Sequence, residues 1–241
     1  MFNIKRLAKH LLLVGALGLY GAVAQADDAS IRKNLKERFP NFPAIDEITK
    51  TAIPGIFEVR INGTEIIYTD ADASHLIQGS ILDTKARVNL TEERTNKLTA
   101  IAFSALPLKD AFTIVRGNGK RKIAVFEDPN CGYCKRFEAN MQKVDNVTVY
   151  MFLYPILGAD SVAKSNNLWC AKDKVKAWQD YMLRDVAVTP ASCDTAAVAR
   201  NVEFGKKHKI TGTPTLIFAD GTRVPGAIDA GQVEKILASV K

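Results

Sequence analysis

The spacing of hydrophobic residues divides the chain into a short N-terminal part and a longer C-terminal part. Over residues 30–39 apolar side chains recur every four positions, which predicts an amphipathic helix. Residues 56–61 and 64–69 read as strands around an Asn-Gly dipeptide, which suits a two-residue hairpin turn because both positions tolerate positive φ. A further strand is predicted over 75–83. The N-terminal part is therefore expected to be α+β, with one helix and a small antiparallel sheet.

A linker helix is predicted between the two parts, over residues 89–106. Asn89 or Thr91 can cap its N-terminus, and the two glutamates that follow favour the positive end of the helix dipole. Its exposed face is polar, so we expect a rod-like linker rather than a core element.

From residue 108 onward strands and helices alternate. The predicted elements are strands at 112–115 and 122–126, a helix at 131–141, a strand at 147–154, a helical stretch at 159–209 broken near 189–190, a hairpin of 216–219 with 222–224, and a helix at 230–240. This order is typical of an α/β domain, here with a helical insertion.

The first 26 residues have the composition of a cleaved secretory signal. A basic start without acids leads into an apolar run of about 13 residues and then into Ala24-Gln25-Ala26. The alternative, a membrane anchor, needs about 20 apolar residues. We therefore expect segment 1–26 to be removed and the mature chain to work in an oxidising compartment, where cysteines can pair.

The module 27–88 is expected to be only marginally stable alone, because about 60 residues bury little surface. Its last strand also leaves a plausible unpaired edge. Pairing with a second copy would solve both problems. Packing against the C-terminal half of its own chain is the alternative, and the residues alone do not choose between the two.

Composition and charge exclude several classes of protein. Of 241 residues, 47% are hydrophobic and 24% charged, as in globular proteins and unlike low-complexity or disordered chains. The formal net charge is +7, but the basic residues form no concentrated stripe, so no nucleic-acid partner is expected.

The candidate chemistry lies at Cys131-Gly132-Tyr133-Cys134, where a predicted strand leads into a helix. A C-x-x-C at such a junction indicates redox chemistry. At the helix N-terminus the free N–H groups and the dipole favour a thiolate on Cys131. Cys134 lies one turn later on the same face, within reach of Cys131. We expect Cys131 to be the exposed nucleophile and Cys134 the less accessible resolving thiol.

Zinc and a purely structural disulfide are the alternatives at this motif. Zinc needs four ligands, and beyond the signal the chain offers only His75 and His208 besides two distant cysteines. A disulfide across so short a loop would stabilise the fold little. No metal and no other cofactor is predicted.

Cys170 and Cys193 stand apart from this motif and bracket the predicted break at 189–190. In an oxidising compartment we expect them to pair and to staple the helical insertion. A second redox relay is the alternative.

A Gly-Thr-Pro sequence at 212–214 precedes the C-terminal hairpin, and together with the helix-borne C-x-x-C it resembles the thioredoxin superfamily. With its signal, N-terminal sheet domain, linker helix and insertion, the whole chain resembles the periplasmic disulfide isomerases of the DsbC/DsbG family. The most specific motifs are 126–134, 212–214, and 62–64 through 77–79. The second cysteine pair and the Gly-Tyr inside the motif point to the DsbC branch.

The resemblance implies that 107–241 is a thioredoxin-like catalytic domain and 27–88 a dimerisation domain. The dimer would be V-shaped, with both active sites facing a shared cleft. Pro214 is expected to be cis, with the Thr213 backbone contacting an extended substrate by strand-like hydrogen bonds. Gly132 and Tyr133 are the other expected substrate contacts.

The function implied is isomerisation and reduction of incorrect disulfides in misfolded exported proteins of the periplasm, with chaperone action compatible beside it. A membrane-bound reductase of the DsbD type would supply electrons. Three other functions stay open: a DsbA-type oxidase, a DsbG-like reductase that protects oxidised single cysteines, and a holdase chaperone.

One departure from thioredoxin concerns the proton acceptor for Cys134. Thioredoxin has a buried acid six residues before its first cysteine, and Val125 occupies that place here. Glu127 is a weak candidate for the role. The favoured interpretation of Glu127 is a solvated loop residue.

Overall fold

The structure, a computed structural model, describes residues 27–240, and the predicted signal segment lies outside them. The described chain forms two compact units that divide between Leu98 and Thr99. Between residues 27 and 240, no helix has the length and apolar character needed to cross a membrane.

The first unit is a helix with a four-stranded antiparallel sheet. Helix α1 spans 27–38. The strands lie in chain order: β1 (Ile45–Lys50), β2 (Ile56–Ile61), β3 (Glu65–Asp70) and β4 (Leu76–Ile77). Ile31 and Leu35 of α1 are fully buried against inward-facing residues such as Val59. The predicted hairpin turn is present, with φ of 51° at Asn62 and 83° at Gly63.

Two strand predictions in this unit are wrong. Strand β1 was not predicted, because only Ile45 and Ile48 give it apolar character and none of its residues is fully buried. The single strand expected over 75–83 is instead two short pieces, β4 and β5 (Leu82–Asp83). Strand β5 pairs with β6 (Val88–Asn89) and not with the main sheet. Of the four intervening residues, Gln78, Gly79, Ser80 and Ile81, only the last has an apolar side chain that a sheet could bury.

The linker helix α2 (Leu90–Thr99) begins where it was predicted, and its α-helical part ends earlier. A single 3₁₀ turn follows at Phe103–Ala105. Between them Ile101 is buried, and its N–H donates to the carbonyl of Gly221 at 3.1 Å. Burial of Ile101 and Leu106 in the core of the second unit draws the chain out of the helical path.

The second unit is a mixed five-stranded sheet with helices. The strands are β7 (Phe112–Arg116), β8 (Arg121–Glu127), β9 (Val147–Leu153), β10 (Thr215–Phe218) and β11 (Arg223–Pro225), in the spatial order β11-β10-β8-β9-β7. Only β8 and β9 run parallel. Along central β8, Ile123 and Val125 face one hydrophobic cluster, and Ala124 and Phe126 face the other. Both faces of the sheet are therefore covered.

The helices of this unit are α3 (Gly132–Met141), α4 (Ala159–Cys170), α5 (Lys174–Arg184), α6 (Ala196–Lys207) and α7 (Ala230–Ser239). The long helical stretch is interrupted twice, not once as predicted. Asp173 caps α5 by accepting from the N–H of Lys176 at 2.9 Å, so the chain restarts a helix there. Asp185 ends α5 in a left-handed conformation, with φ of 53°.

Candidate active site

The site is built where β8 passes into α3. Cys131 is the N-cap residue of α3, with an extended conformation at φ −81° and ψ 114°. Its N–H donates to the carbonyl of Asp128 at 3.0 Å, which closes a tight turn between strand and helix. The end of a central, fully covered strand thus fixes the position of Cys131.

A buried aspartate holds this turn in place. The Asp128 side chain is fully buried and accepts four hydrogen bonds, from the N–H groups of Asn130 at 2.8 Å, Ile156 at 2.8 Å and Leu157 at 2.9 Å and from the hydroxyl of Ser161 at 2.7 Å. It ties the active-site turn to the segment after β9 and to α4. This role could not be predicted from the sequence, since an acid between a strand and a proline is ordinary for a loop.

Cys131 and Cys134 are free thiols in different surroundings. Cys134 is completely enclosed, and Cys131 is 6% exposed. The expectation that Cys131 is openly exposed is therefore wrong, although it remains the more accessible of the two. The cause is the segment before β10, whose Thr213 carbonyl accepts a hydrogen bond from the Cys131 thiol at 3.3 Å.

That segment contains a cis peptide bond between Thr213 and Pro214. The Pro214 carbonyl accepts from the N–H of Gly226 at 2.7 Å. On the other side, the Tyr154 hydroxyl donates to the carbonyl of Ile210 at 2.8 Å. These bonds anchor the backbone that faces Cys131.

Gly132 and Tyr133 lie at the surface beside Cys131. Tyr133 is 62% exposed, and the guanidinium of Arg136 lies 5.1 Å from its ring centroid. A side chain built on Gly132 would meet no atom within 4 Å. The structure thus leaves both residues open to solvent next to the nucleophile candidate.

The thiol of Cys134 is held in its protonated form. Burial is the main cause that raises its pKa, and the carboxyl group of Glu127 nearby raises it further. A group must therefore remove this proton before Cys134 can act as a nucleophile.

Glu127 is not the solvated loop residue that was expected. It is the last residue of β8, and its side chain is fully buried. Apart from the Glu138 carboxyl beside it, neither carboxyl oxygen has a hydrogen-bond partner among the described residues. Burial raises its pKa well above the ordinary value, and the neighbouring carboxyl of Glu138 raises it further. The prediction failed because the strand continues one residue beyond its apolar run.

Glu138 is a functional candidate that the sequence analysis missed. It lies one turn after Cys134 on α3 and is 2% exposed. Its carboxylate accepts from the indole N–H of Trp178 at 3.0 Å. Burial raises its pKa, while Trp178 and the charge of Arg116 oppose the shift. The available signal was an acid on the face of α3 that also carries Cys134 and Met141.

Comparison with known proteins agrees with this fold. Residues 108–241 match the thioredoxin-like domain family, and residues 22–92 match the disulfide bond isomerase protein N-terminal domain. The chain is 40% identical over 214 residues to the probable thiol:disulfide interchange protein DsbC of Bordetella pertussis, covering 88% of this chain and 75% of that protein. The chain belongs to the DsbC family. It is thus a thiol:disulfide interchange protein, an oxidoreductase and isomerase.

Two further comparisons support membership of the DsbC family. DsbC of Escherichia coli K12 is 34% identical over 224 residues, covering 90% of each chain. The crystal structure of a disulfide interchange protein from Neisseria gonorrhoeae is 41% identical, with a TM-score of 0.53. That match covers 56% of this chain and 97% of the other.

The second cysteine pair of this DsbC-family chain forms a disulfide. Cys170 and Cys193 are joined by an S–S bond of 2.02 Å, which links the end of α4 to the segment before α6. Nearby, the side-chain oxygen of Asn167 accepts from the N–H of Ala191 at 3.1 Å. The bond thus fastens the irregular segment after α5 to α4. Within residues 27–240, no group of three or more His, Cys, Asp or Glu side chains is arranged so that it could hold a metal ion.

Proposed function

We propose that this DsbC-family protein isomerises and reduces incorrect disulfides in exported proteins, with Cys131 as nucleophile and Cys134 as resolving thiol. One observation carries the proposal. The Cys131 thiol begins a helix and contacts the backbone carbonyl next to a cis-proline, while Cys134 is enclosed one turn later. Such a pair offers one sulfur to a substrate and keeps the other in reserve.

The reaction begins when the Cys131 thiolate attacks one sulfur of a substrate disulfide. A Cys131–substrate bond forms, and the second substrate sulfur leaves as a thiolate. In isomerisation that thiolate attacks elsewhere in the substrate, and Cys131 is finally displaced unchanged. In reduction Cys134 attacks the Cys131 sulfur, so the substrate gains two electrons and the enzyme keeps a Cys131–Cys134 disulfide. A membrane reductase of the DsbD type would then restore the dithiol.

Apolar surface beside the thiols supports binding of unfolded substrate. Besides Tyr133, Leu157 is 55% and Val162 is 41% exposed. The N–H of Leu157 itself donates to Asp128, and Val162 follows Ser161, whose hydroxyl does the same. Unfolded chains expose the apolar side chains that such a surface binds. The backbone of Thr213 would add strand-like hydrogen bonds. Chaperone action is part of this proposal for the same reason.

A homodimer formed through the N-terminal sheet is also proposed. β4 is the last strand of its sheet, and its two residues, Leu76 and Ile77, are 38% and 46% exposed. An exposed apolar edge strand pairs readily with another copy. The N-terminal signal pattern supports export to the periplasm, where substrates with wrong disulfides occur.

The test is reactivation of a scrambled, fully oxidised multi-disulfide protein by the full-length chain. Wild type should restore activity, and Cys131→Ser should lose at least about a hundredfold of the rate, since the nucleophile is gone. Ile77→Lys should be monomeric in sedimentation and slower, because a charge on the edge blocks strand pairing.

The matched control is Ile53→Lys, an equally exposed apolar residue outside the sheet edge, which should leave the dimer intact. Isomerase activity retained by Cys131→Ser would contradict the assigned roles. The Cys131→Ser protein should still suppress aggregation of a reduced, unfolded protein if the chaperone part is right.

A further inference from the structure

Two buried carboxyl groups lie beside the resolving thiol, and the reaction described above uses neither of them. Glu127 is fully buried, and Glu138 is 2% exposed. Apart from the contact between the two carboxyl groups themselves, both oxygens of Glu127 and Oε2 of Glu138 have no hydrogen-bond partner among the described residues. Burying two carboxyl groups with so few other partners is costly, and native proteins rarely keep such groups without a use.

The fold brings these groups together from two elements. Glu127 ends β8, directly before the turn that leads to Cys131. Cys134 and Glu138 are four positions apart on α3, so they lie on one face of that helix. Glu127 is close enough to both cysteines and to Glu138 for their charges to interact. Thiol and carboxyls therefore form one buried cluster.

The surroundings favour a single negative charge on the carboxyl pair. Two neighbouring carboxyls in a low-dielectric site do not both ionise, so one keeps its proton. The Trp178 indole donates to Glu138 at 3.0 Å, and Arg116 of β7 adds a positive charge nearby. Both contacts favour the anion on Glu138. The titratable groups that act on this pair are Arg116, Cys131 and Cys134.

We propose that Glu127 and Glu138 form a proton relay that deprotonates Cys134 when it resolves a mixed disulfide. The inference rests on the proposed function, because it needs Cys134 to attack Cys131. The Cys134 proton passes to Glu127, and the proton that Glu127 held passes to Glu138. The Cys134 sulfur then bonds to the Cys131 sulfur, and the substrate thiolate leaves with the electron pair. The extra proton finally returns to the substrate thiolate or to water.

A purely electrostatic role for Glu127 predicts the opposite result. If Glu127 only repelled the thiolate, its removal would lower the pKa of Cys134 and speed the attack. If Glu127 accepts the proton, its removal slows the attack. The sign of the effect therefore separates the two roles.

The experiment mixes the reduced full-length protein with a small aromatic disulfide under stopped flow. The first aromatic thiolate released reports attack by Cys131, and the second reports attack by Cys134. Glu127→Gln keeps the shape of the side chain. It should leave the first phase within about twofold and slow the second at least about tenfold at pH 7, since a positioned acid–base group is lost.

The pH profile gives a signature that a structural role would not give. In Glu127→Gln the second phase should rise about tenfold per pH unit between pH 6 and 8, because hydroxide then replaces the relay. In Glu138→Gln the second phase should be slowed less than in Glu127→Gln. The midpoint of the pH profile of this phase should move to lower pH, because Glu127 no longer has a carboxyl neighbour that raises its pKa.

Glu234→Gln is the matched control, since it removes a carboxylate of the same domain that pairs with Arg121 on the surface. It should change neither phase. A second phase that is unchanged or faster in Glu127→Gln, with the first phase intact, would overturn the relay. Loss of the first phase in wild type itself would instead overturn the proposed function. Circular dichroism and first-phase amplitude report whether each variant is folded.

Discussion

The chain contains two cysteine pairs, and the contrast between them shows what makes a pair reactive. Cys131 and Cys134 are free thiols at the start of a helix, one partly accessible and one enclosed. Cys170 and Cys193 are separated by 23 positions and joined by a disulfide. The first pair closes too short a loop to stabilise the fold much, whereas the second constrains a long one. Reactivity therefore goes with the pair that contributes least to stability.

The surroundings of the sulfurs widen the difference. The first pair has a backbone carbonyl at 3.3 Å from Cys131 and buried acids beside Cys134. The second is fixed between a helix end and a segment without regular structure. The surroundings of Cys131 and Cys134 favour thiol–disulfide exchange, whereas the Cys170–Cys193 disulfide stabilises the helical insertion.

Alkylation should give the largest difference between the sulfurs. With the reduced active site, Cys131 should react with iodoacetamide at pH 7.5 at least about a thousandfold faster than Cys134. The reason is that Cys134 is enclosed and its raised pKa leaves almost no thiolate, and each pKa unit costs tenfold. Peptide mass spectrometry over time measures both rates. Comparable alkylation rates for Cys131 and Cys134 would contradict their assignment as nucleophile and resolving thiol.

Removing the structural pair should affect stability and not exchange. The double variant Cys170→Ala with Cys193→Ala should lose about 3 kcal/mol of the free energy of unfolding, by the loop-entropy relation. Urea unfolding measures it. The first phase of aromatic thiolate release should stay within about twofold of wild type. A large loss of exchange rate in a folded double variant would show that the two pairs are coupled.

The smallest effect is expected at Trp178. Trp178→Phe removes the indole N–H that donates to Glu138. The free energy of unfolding should fall by about 1–2 kcal/mol, because a buried acceptor loses its hydrogen bond. Glu138 has a raised pKa in the fold, so its ionisation weakens the fold as pH rises. Loss of the donor raises that pKa further. The variant should therefore lose more stability at pH 8 than at pH 4.5.

Urea unfolding at the two pH values is the measurement for this variant, and Trp169→Phe is its control. Trp169 is only partly buried and contacts Lys174. Its replacement should therefore lower the free energy of unfolding by the same amount at both pH values. An equal loss for Trp178→Phe at pH 4.5 and pH 8 would mean that the indole acts only by packing.

Much of the second unit could be predicted because its patterns are local. The helix of the C-x-x-C motif, the strand before it and the final helix depend on periodicity and on residues that begin or end helices. The errors fall where a long-range contact decides. Strand β1 is held by pairing with β2, and α2 ends where Ile101 enters a core formed by distant residues.

The candidate site divides in the same way. The pair of thiols and their positions at a helix start could be predicted from the sequence, because spacing and helix geometry are properties of a few adjacent residues. The contact of Thr213 with Cys131 and the burial of Glu127 and Glu138 beside Cys134 became visible only in the folded chain. Burial of a charge depends on which elements pack around it, and this packing cannot be predicted from a local sequence pattern.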